Sequence, residues 1–449
     1  MAINHPNSPA YQKGIRYAAA EFIPQPRQGS KTAERFRTSG GFRHGGDYTV
    51  RHAWHSGGHG GRFGDRRGGG GGRGRSGGRR RESEMTDISR FIKKATGIKA
   101  TPVEIKNSFV DFNLNPYILR NLLDKKFTTP SPIQDQSIPH ILAGKDIVGL
   151  ANTGTGKTAA FLLPLLHKIS LNPQTESALI VAPTRELAQQ IDAEFRLFAK
   201  GLNLFSVVCV GGMSAYAQIR ELRYNPHVVI GTPGRIQDLA AKGFIDFKIY
   251  NNVVIDEVDH MLDMGFVEPI TEILNSLPEG RQSLFFSATM PPKIRELIQV
   301  FLRNPVTVEI QSGKTTDNVD QDVVRVQRGE DKFPILVDIL RKPEMTKVLI
   351  FSETKRDVEK LTQSLMAEGF KATSIHGDKD QRERTRALNF FKSGMVTILV
   401  ATDVAARGID VNDISHVINY TKPQTHDDYV HRIGRTGRGS KTGSALTFV

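Results

Sequence analysis

Two short stretches of this 449-residue chain have the residue types and spacing that chemistry on a phosphate ester requires. The first is Ala151-Asn-Thr-Gly-Thr-Gly-Lys-Thr158, set between an apolar strand-like run and a helix-like one. Gly154 and Gly156 let the backbone turn so that several N–H groups converge on one point, with Thr153 and Thr155 completing the cradle. The helix that follows adds the positive end of its dipole. Lys157 has the reach for the outer phosphates of a nucleoside triphosphate, and the hydroxyl of Thr158 is placed to ligate Mg²⁺. The general pattern opens on glycine, whereas this chain has Ala151. The second stretch, Val253-Val-Ile-Asp-Glu-Val-Asp259, is an apolar strand that ends in three carboxylates. Acids in that position are costly to bury unless a cation or hydrogen-bond donors meet them. With a nucleotide on the neighbouring loop, Asp256 is placed to hold Mg²⁺ through water, and Glu257 to orient and deprotonate an attacking water. The order of strand, loop and helix argues against reading the first as an ordinary Gly-rich turn, whereas the second alone reads equally as a solvated acidic turn. Found together, they argue for a nucleotide site.

Such groups need rigid supports, and the pattern from Asn107 onward supplies them. Apolar, β-branched runs at 146–151, 178–183, 206–210, 227–231, 253–256 and 283–287 alternate with longer amphipathic stretches. Each run reads as a strand buried on both faces, and the alternation predicts a parallel sheet flanked by helices. A polar stretch at 311–320 is expected to link this domain, 107–310, to a second α/β unit over 321–449. Strands are expected there at 347–352, 372–376, 397–401, 416–420 and 443–449. Two sheets on a short linker enclose a cleft, where the chemistry should lie.

Ahead of these domains the composition is different. Residues 1–84 carry 16 Lys or Arg against 6 Asp or Glu, most of the chain's net charge of +14. Between Gly60 and Arg81 almost every residue is Gly or Arg, the exceptions being Phe63, Asp65 and Ser76. A segment of this kind cannot bury enough apolar area to offset the entropy of ordering it, so a disordered arm is expected. Arginines spaced by glycine suit phosphate contacts and stacking on exposed bases. A plain solubilising tail is the alternative. Residues 85–106 read as a linker with one short helix. The single cysteine, Cys209, excludes a disulfide framework or a thiolate zinc cluster, and its apolar surroundings predict an inert thiol. No stretch of about 18 apolar residues and no secretory signal pattern occurs, so a cytoplasmic location without membrane insertion is expected.

Residues 107–449 resemble the two-domain core of the DEAD-box RNA helicases, with motifs in the family's order. The acidic motif reads Asp256-Glu-Val-Asp259, with Val258 in place of the usual Ala. Phe127-Thr-Thr-Pro-Ser-Pro-Ile-Gln134 resembles the adenine-reading segment. There the resemblance assigns paired hydrogen bonds with adenine to Gln134 and stacking to Phe109, while Lys126 stands where the family usually has Gly. Pro183, Thr184 and Arg185, Gly211 and Gly212, and Thr232, Pro233, Gly234 and Arg235 match nucleic-acid contacts of the first domain. Ser287-Ala-Thr289 matches the segment that couples hydrolysis to strand separation, its hydroxyls facing Asp259. In the second domain Gln381 and Arg384 resemble a Gln-x-x-Arg element. Thr402 through Asp410 and His431 through Arg438 follow at family spacing.

The resemblance implies two tandem RecA-like domains, ATP and Mg²⁺ as cofactors, and RNA held largely without regard to sequence. Thr402 and Arg407 would touch RNA, Asp410 would serve ATP, and His431 would couple the two sites. Arg435 and Arg438 would face Lys157 across the cleft and stabilise the charge that spreads over the transferring phosphoryl group. Duplex unwinding or remodelling by a monomer, with the arm as an auxiliary RNA contact, is the expected activity. The adenine-reading segment and the Asp-Glu-x-Asp ending argue against a DNA-directed translocase, and intact Lys157, Glu257, Arg435 and Arg438 argue against a scaffold without turnover. A clamp that anneals more than it unwinds stays open.

Overall fold

The structure, a computed structural model, describes residues 88–95, 104–152, 154–310, 318–327, 329–406, 411, 413–437 and 442–449. The arm expected over 1–84 and the site residues Thr153, Arg407, Asp410 and Arg438 lie outside the described residues. Residues 80–449 group as one compact unit containing two parallel sheets.

The first sheet comprises β1 (Ile147–Leu150), β2 (Ala178–Val181), β3 (Ser206–Cys209), β4 (Val228–Gly231), β5 (Asn252–Ile255), β6 (Gln282–Ser287) and β7 (Val306–Glu309). Their order across the sheet is β3-β4-β2-β5-β6-β1-β7, every pair parallel. Alternation of side chains along each strand divides the core in two. In β2, Ala178 and Ile180 enter the cluster on one face, and Leu179 and Val181 the cluster on the other. The helix Lys157–Leu171 closes one of these faces with Phe161, Leu162, Leu165 and Leu166, all buried.

The second sheet comprises β8 (Val319–Val324), β9 (Val348–Phe351), β10 (Ala372–Ile375), β11 (Ile398–Ala401), β12 (His416–Asn419) and β13 (Gly443–Phe448). Its order is β10-β11-β9-β12-β13-β8, again all parallel. Leu349 and Phe351 of β9 face one cluster, Val348 and Ile350 the other.

Every strand expected from sequence is present, and two more flank them at sheet edges. β7 is a short, half-exposed strand beside β1. β8 takes in Val319 and Asp320, the last two residues of the stretch read as linker. Its Val-Asp-Gln-Asp-Val-Val sequence keeps polar groups at an edge, which hides it from an apolar-run reading. Cys209 is fully buried, and burial pushes its thiol up to about 12, as the inert reading requires. No helix among the described residues is long and apolar enough to cross a membrane.

The motif-bearing loops of the first domain leave the carboxyl ends of β1 to β6. In open parallel sheets that edge forms the ligand crevice.

Candidate active site and nucleic-acid path

At the end of β1 the chain turns through Gly154 (φ 81°) and Gly156 (φ 94°), left-handed conformations that suit glycine. Space adds a second reason at Gly156, where a Cβ would come within 2.4 Å of Gln134 Nε2. Lys157 opens the next helix and is 7 % exposed, its Nζ donating to Ala151 O at 2.8 Å. The ammonium is thus folded back across the loop whose ligand it would meet. Gln134 donates through Nε2 to Gly156 O at 3.0 Å and accepts at Oε1 from Ser131 N at 2.9 Å. The adenine reader expected from sequence therefore also braces the phosphate loop. Each amide function keeps one further hydrogen-bonding position for a base. Phe109 is 5 % exposed and packs edge-on against Phe112, with ring centroids 6.2 Å apart. Lys126 adopts φ 61°, the left-handed backbone of the glycine usual at that position, so the turn into the adenine segment is preserved.

The acidic motif follows β5 directly. Asp256 is 2 % exposed, and burial pushes its carboxyl up to about 7 against the pull of the Lys157 charge. Glu257 is bent into the left-handed region (φ 52°, ψ 53°) at the start of the helix Val258–Asp263. Burial, the largest single influence on Glu257, favours its neutral form. A hydrogen bond from His260, with the charges of His260, Lys157 and Arg435, outweighs burial and holds it at about 2. One buried acid therefore favours its neutral form unless a cation meets it, while its neighbour is held ionised. Val258 is fully buried in the core, so its extra methyls relative to Ala fill the sheet packing and leave the site untouched.

Asp259 ties the acidic motif to the next strand end. Its Oδ2 accepts from Ala288 N (3.1 Å), Thr289 N (2.8 Å) and Thr289 Oγ1 (3.0 Å), and its own N–H donates to Ser287 Oγ at 3.3 Å. The cleft they border is closed from the second domain by His431 and Arg435, opposite Lys157, Glu257 and His260. Arg435 is 7 % exposed, and its Nε donates to His431 O at 3.3 Å.

A second line of polar groups runs past the ends of β2, β3 and β4. Arg185 lies on the Gly211–Gly212 backbone, where a Cβ at Gly212 (φ 73°) would collide with its guanidinium. Burial, and then the charge of Arg384, lower the pKa of Arg185, with Arg235 adding to the effect. Arg235 donates to Gln218 Oε1 at 3.0 Å, while Thr184 caps its helix by accepting from Leu187 N. Pro233 occupies the first turn of the next helix, next to Gly234, beside which a Cβ would meet nothing. Thr402 follows β11 and accepts from Ala406 N. Arg185 and Arg235 lie close enough for one charge to act on the other, an arrangement suited to phosphates, while Arg384 behind them is buried and paired with Glu186.

Two family models match the chain, "DEAD/DEAH box helicase" over residues 131–297 and "Helicase conserved C-terminal domain" over 331–440. It is 43 % identical over 345 residues to "DEAD-box ATP-dependent RNA helicase CshA" of Bacillus licheniformis, covering 76 % of this chain and 70 % of that one. The chain belongs to the DEAD-box ATP-dependent RNA helicases. A relative of the same description from Streptococcus pneumoniae is 45 % identical over 344 residues, 76 % of this chain and 65 % of its own. The chain spans 64–70 % of the length of curated DEAD-box relatives such as these. Among solved structures, S. cerevisiae Dbp5 bound to RNA and ADP BeF3 is 32 % identical with a TM-score of 0.68, covering 77 % of this chain and 90 % of that one. Mss116p bound to ssRNA and AMP-PNP is 30 % identical with a TM-score of 0.69, covering 76 % and 73 %. Both sheets of this DEAD-box chain are RecA-like in that comparison.

Three features of this DEAD-box site escaped the sequence reading. His260 Nδ1 lies 3.1 Å from Glu257 Oε2, while its buried Nε2 has no protein partner. Glu186, next to Arg185, receives Arg384 Nε at 2.7 Å and Gln381 Nε2 at 3.2 Å from the other domain. Arg432 grips Asp403 with two nitrogens (2.5 and 2.6 Å) and lies 5.2 Å from the Phe351 ring centroid, which fixes the helix His426–Ile433 to its sheet. The i, i+3 spacing of Glu257 and His260 is a signal for the first, while Arg432 and Asp403 stand 29 positions apart and the polar helix that carries Arg432 marks neither. Nothing local signals the second, whose partners stand 198 positions apart.

Proposed function

We propose that this chain couples ATP hydrolysis to local unwinding or remodelling of RNA duplexes and RNA–protein complexes, with hydrolysis stimulated by RNA. The observation that carries the reading is the shared cleft, in which Lys157 and Glu257 of one domain face Arg435 of the other. Lys157 and the loop amides of Gly154, Thr155 and Gly156 bind the phosphates, and Gln134 and Phe109 bind adenine. Glu257, ionised and held by His260, takes the proton of the attacking water. Arg435, with Arg438, meets charge on the transferring group, an arrangement worth about 10³–10⁵ in rate in related phosphoryl transfers.

A divalent cation fits the residues present: Asp256 is buried, has its carboxyl raised to about 7 and adjoins the loop that carries Thr158. Mg²⁺ held by Thr158 and Asp256 would neutralise phosphate charge. Asp259, Ser287, Thr289 and His431 report the state of that site to the nucleic-acid path.

RNA runs over Arg185, Gly211, Gly212, Arg235 and Thr402, contacted through its sugar–phosphate backbone and so with little sequence preference. The likeness to structures holding RNA with an ATP analogue supports this placement. The Gly/Arg arm adds sequence-independent affinity, and the protein acts as a cytoplasmic monomer. Steady-state ATP hydrolysis without nucleic acid, with single-stranded RNA and with DNA of the same sequence tests the proposal. Strong stimulation by RNA alone is expected; equal stimulation by DNA would replace it with a translocase, and no hydrolysis with a scaffold. Removing residues 1–84 should weaken RNA binding and flatten its salt dependence.

A further inference from the structure

Residues 88–95 precede the first domain in the chain but pack on the second. Ile88–Phe91 form one turn of 3₁₀ helix, which drives Phe91 into the second domain's core at 1 % exposure. Its ring meets Tyr429 edge-on, with centroids 4.8 Å apart and planes at 78°, and Lys422 Nζ lies 5.5 Å from the Phe91 ring centroid. Lys93 and Gln321 exchange both backbone hydrogen bonds (3.0 and 2.7 Å), adding an antiparallel bridge to β8. Ala95 N donates to Asp320 Oδ1 at 2.9 Å. Gln321 also accepts from Tyr429 Oη at 2.9 Å, so the strap, the edge strand and Tyr429 form one network.

Tyr429 sits in the helix His426–Ile433, two positions before His431 and six before Arg435. Residues two apart point to opposite sides of a helix. Tyr429 is buried against the strap, and His431 lines the catalytic cleft. Covering the edge of β8 would need only the bridge at Lys93. Seating a phenyl ring behind the helix that delivers Arg435 goes beyond edge protection.

We propose that residues 88–95 are a positioning strap for the reaction: Phe91, seated behind Tyr429, holds the helix His426–Ile433 so that His431 and Arg435 face the cleft. The proposal rests on the reading of Arg435 given under Proposed function. Phe91 acts through that helix and touches no substrate.

The test uses full-length Phe91→Ala, Phe91→Leu and Lys93→Pro, the last removing one bond of the bridge from an exposed residue. RNA-stimulated kcat should fall about tenfold in Phe91→Ala, since small misplacements of a catalytic group are costly. KM for ATP should stay within about twofold, because the nucleotide-binding loop lies on the other domain. Phe91→Leu should recover most of the rate, and Lys93→Pro should show a smaller loss of the same kind. In an Arg435→Ala background, Phe91→Ala should cost much less than its own tenfold, leaving only the part that acts through His431. Wild-type kcat in both Phe91→Ala and Lys93→Pro would overturn the strap, as would a loss that adds fully to that of Arg435→Ala. Should Phe91→Ala fail to fold, Lys93→Pro decides by the same criteria. An absence of RNA-stimulated hydrolysis in the wild-type chain would bring down the parent reading and the strap with it, a result separable from failure in the variants alone.

Discussion

The first domain holds its share of the site in place before any ligand arrives, whereas the second offers its share from a single helix end. In the first, Lys157 is tied to Ala151, Gln134 braces the phosphate loop, and Asp259 gathers the end of β6 through three accepted hydrogen bonds. In the second, Arg435 is carried just beyond the helix His426–Ile433, anchored by Arg432 on one side and Tyr429 on another. The division suggests that binding belongs to one domain and turnover to the meeting of both. Preorganised groups cost little to use when the nucleotide binds, and the group that would complete the transition state comes from the other domain.

Glu257→Gln is the sharpest way to test the first half of that division. It should keep ATP and RNA binding and hydrolyse about 10²–10⁴ times more slowly, the range for losing a positioned general base. Normal turnover would remove Glu257 from the chemistry. His260→Phe deletes the hydrogen bond to Glu257. A bond to a charged group contributes about 1.5–3 kcal/mol, so kcat should fall roughly 10- to 100-fold if most of it is expressed in the transition state. His260→Asn, which keeps a donor near Nδ1, should recover part of the loss, and equal rates for Phe and Asn would show that the bond is idle. Arg384→Ala removes the charged half of the interdomain contact and leaves Glu186, 8 % exposed, with only the Gln381 amide as partner. About tenfold more RNA should then be needed for half-maximal stimulation. Adding Glu186→Ala to it should cost little more if the two act as a pair, and full additivity would mean that they act separately.

Sequence made legible what is local and periodic. β2 and β9 stand out because both faces are buried, giving unbroken apolar runs, and the loops at strand ends carry their residue types openly. β7 and β8 were hidden because each is a sheet-edge strand whose polar residues interrupt the run. The packing of Phe91 on Tyr429 and the pairing of Glu186 with Arg384 were illegible for another reason. Each joins residues at least 198 positions apart whose meeting depends on the finished fold. The brace from Gln134 to Gly156 O lies between these extremes, since both residues sit in recognised motifs but only the fold brings their polar atoms together.

Whether one site is split between two domains is decided by comparing Arg435→Ala with Lys157→Ala. ATP affinity and RNA-stimulated kcat would be determined for each variant. With a split site, Arg435→Ala should bind ATP like the wild type yet lose RNA-stimulated turnover, while Lys157→Ala should lose ATP affinity itself. Wild-type turnover by Arg435→Ala at saturating RNA would contradict it, leaving the whole reaction to the first domain.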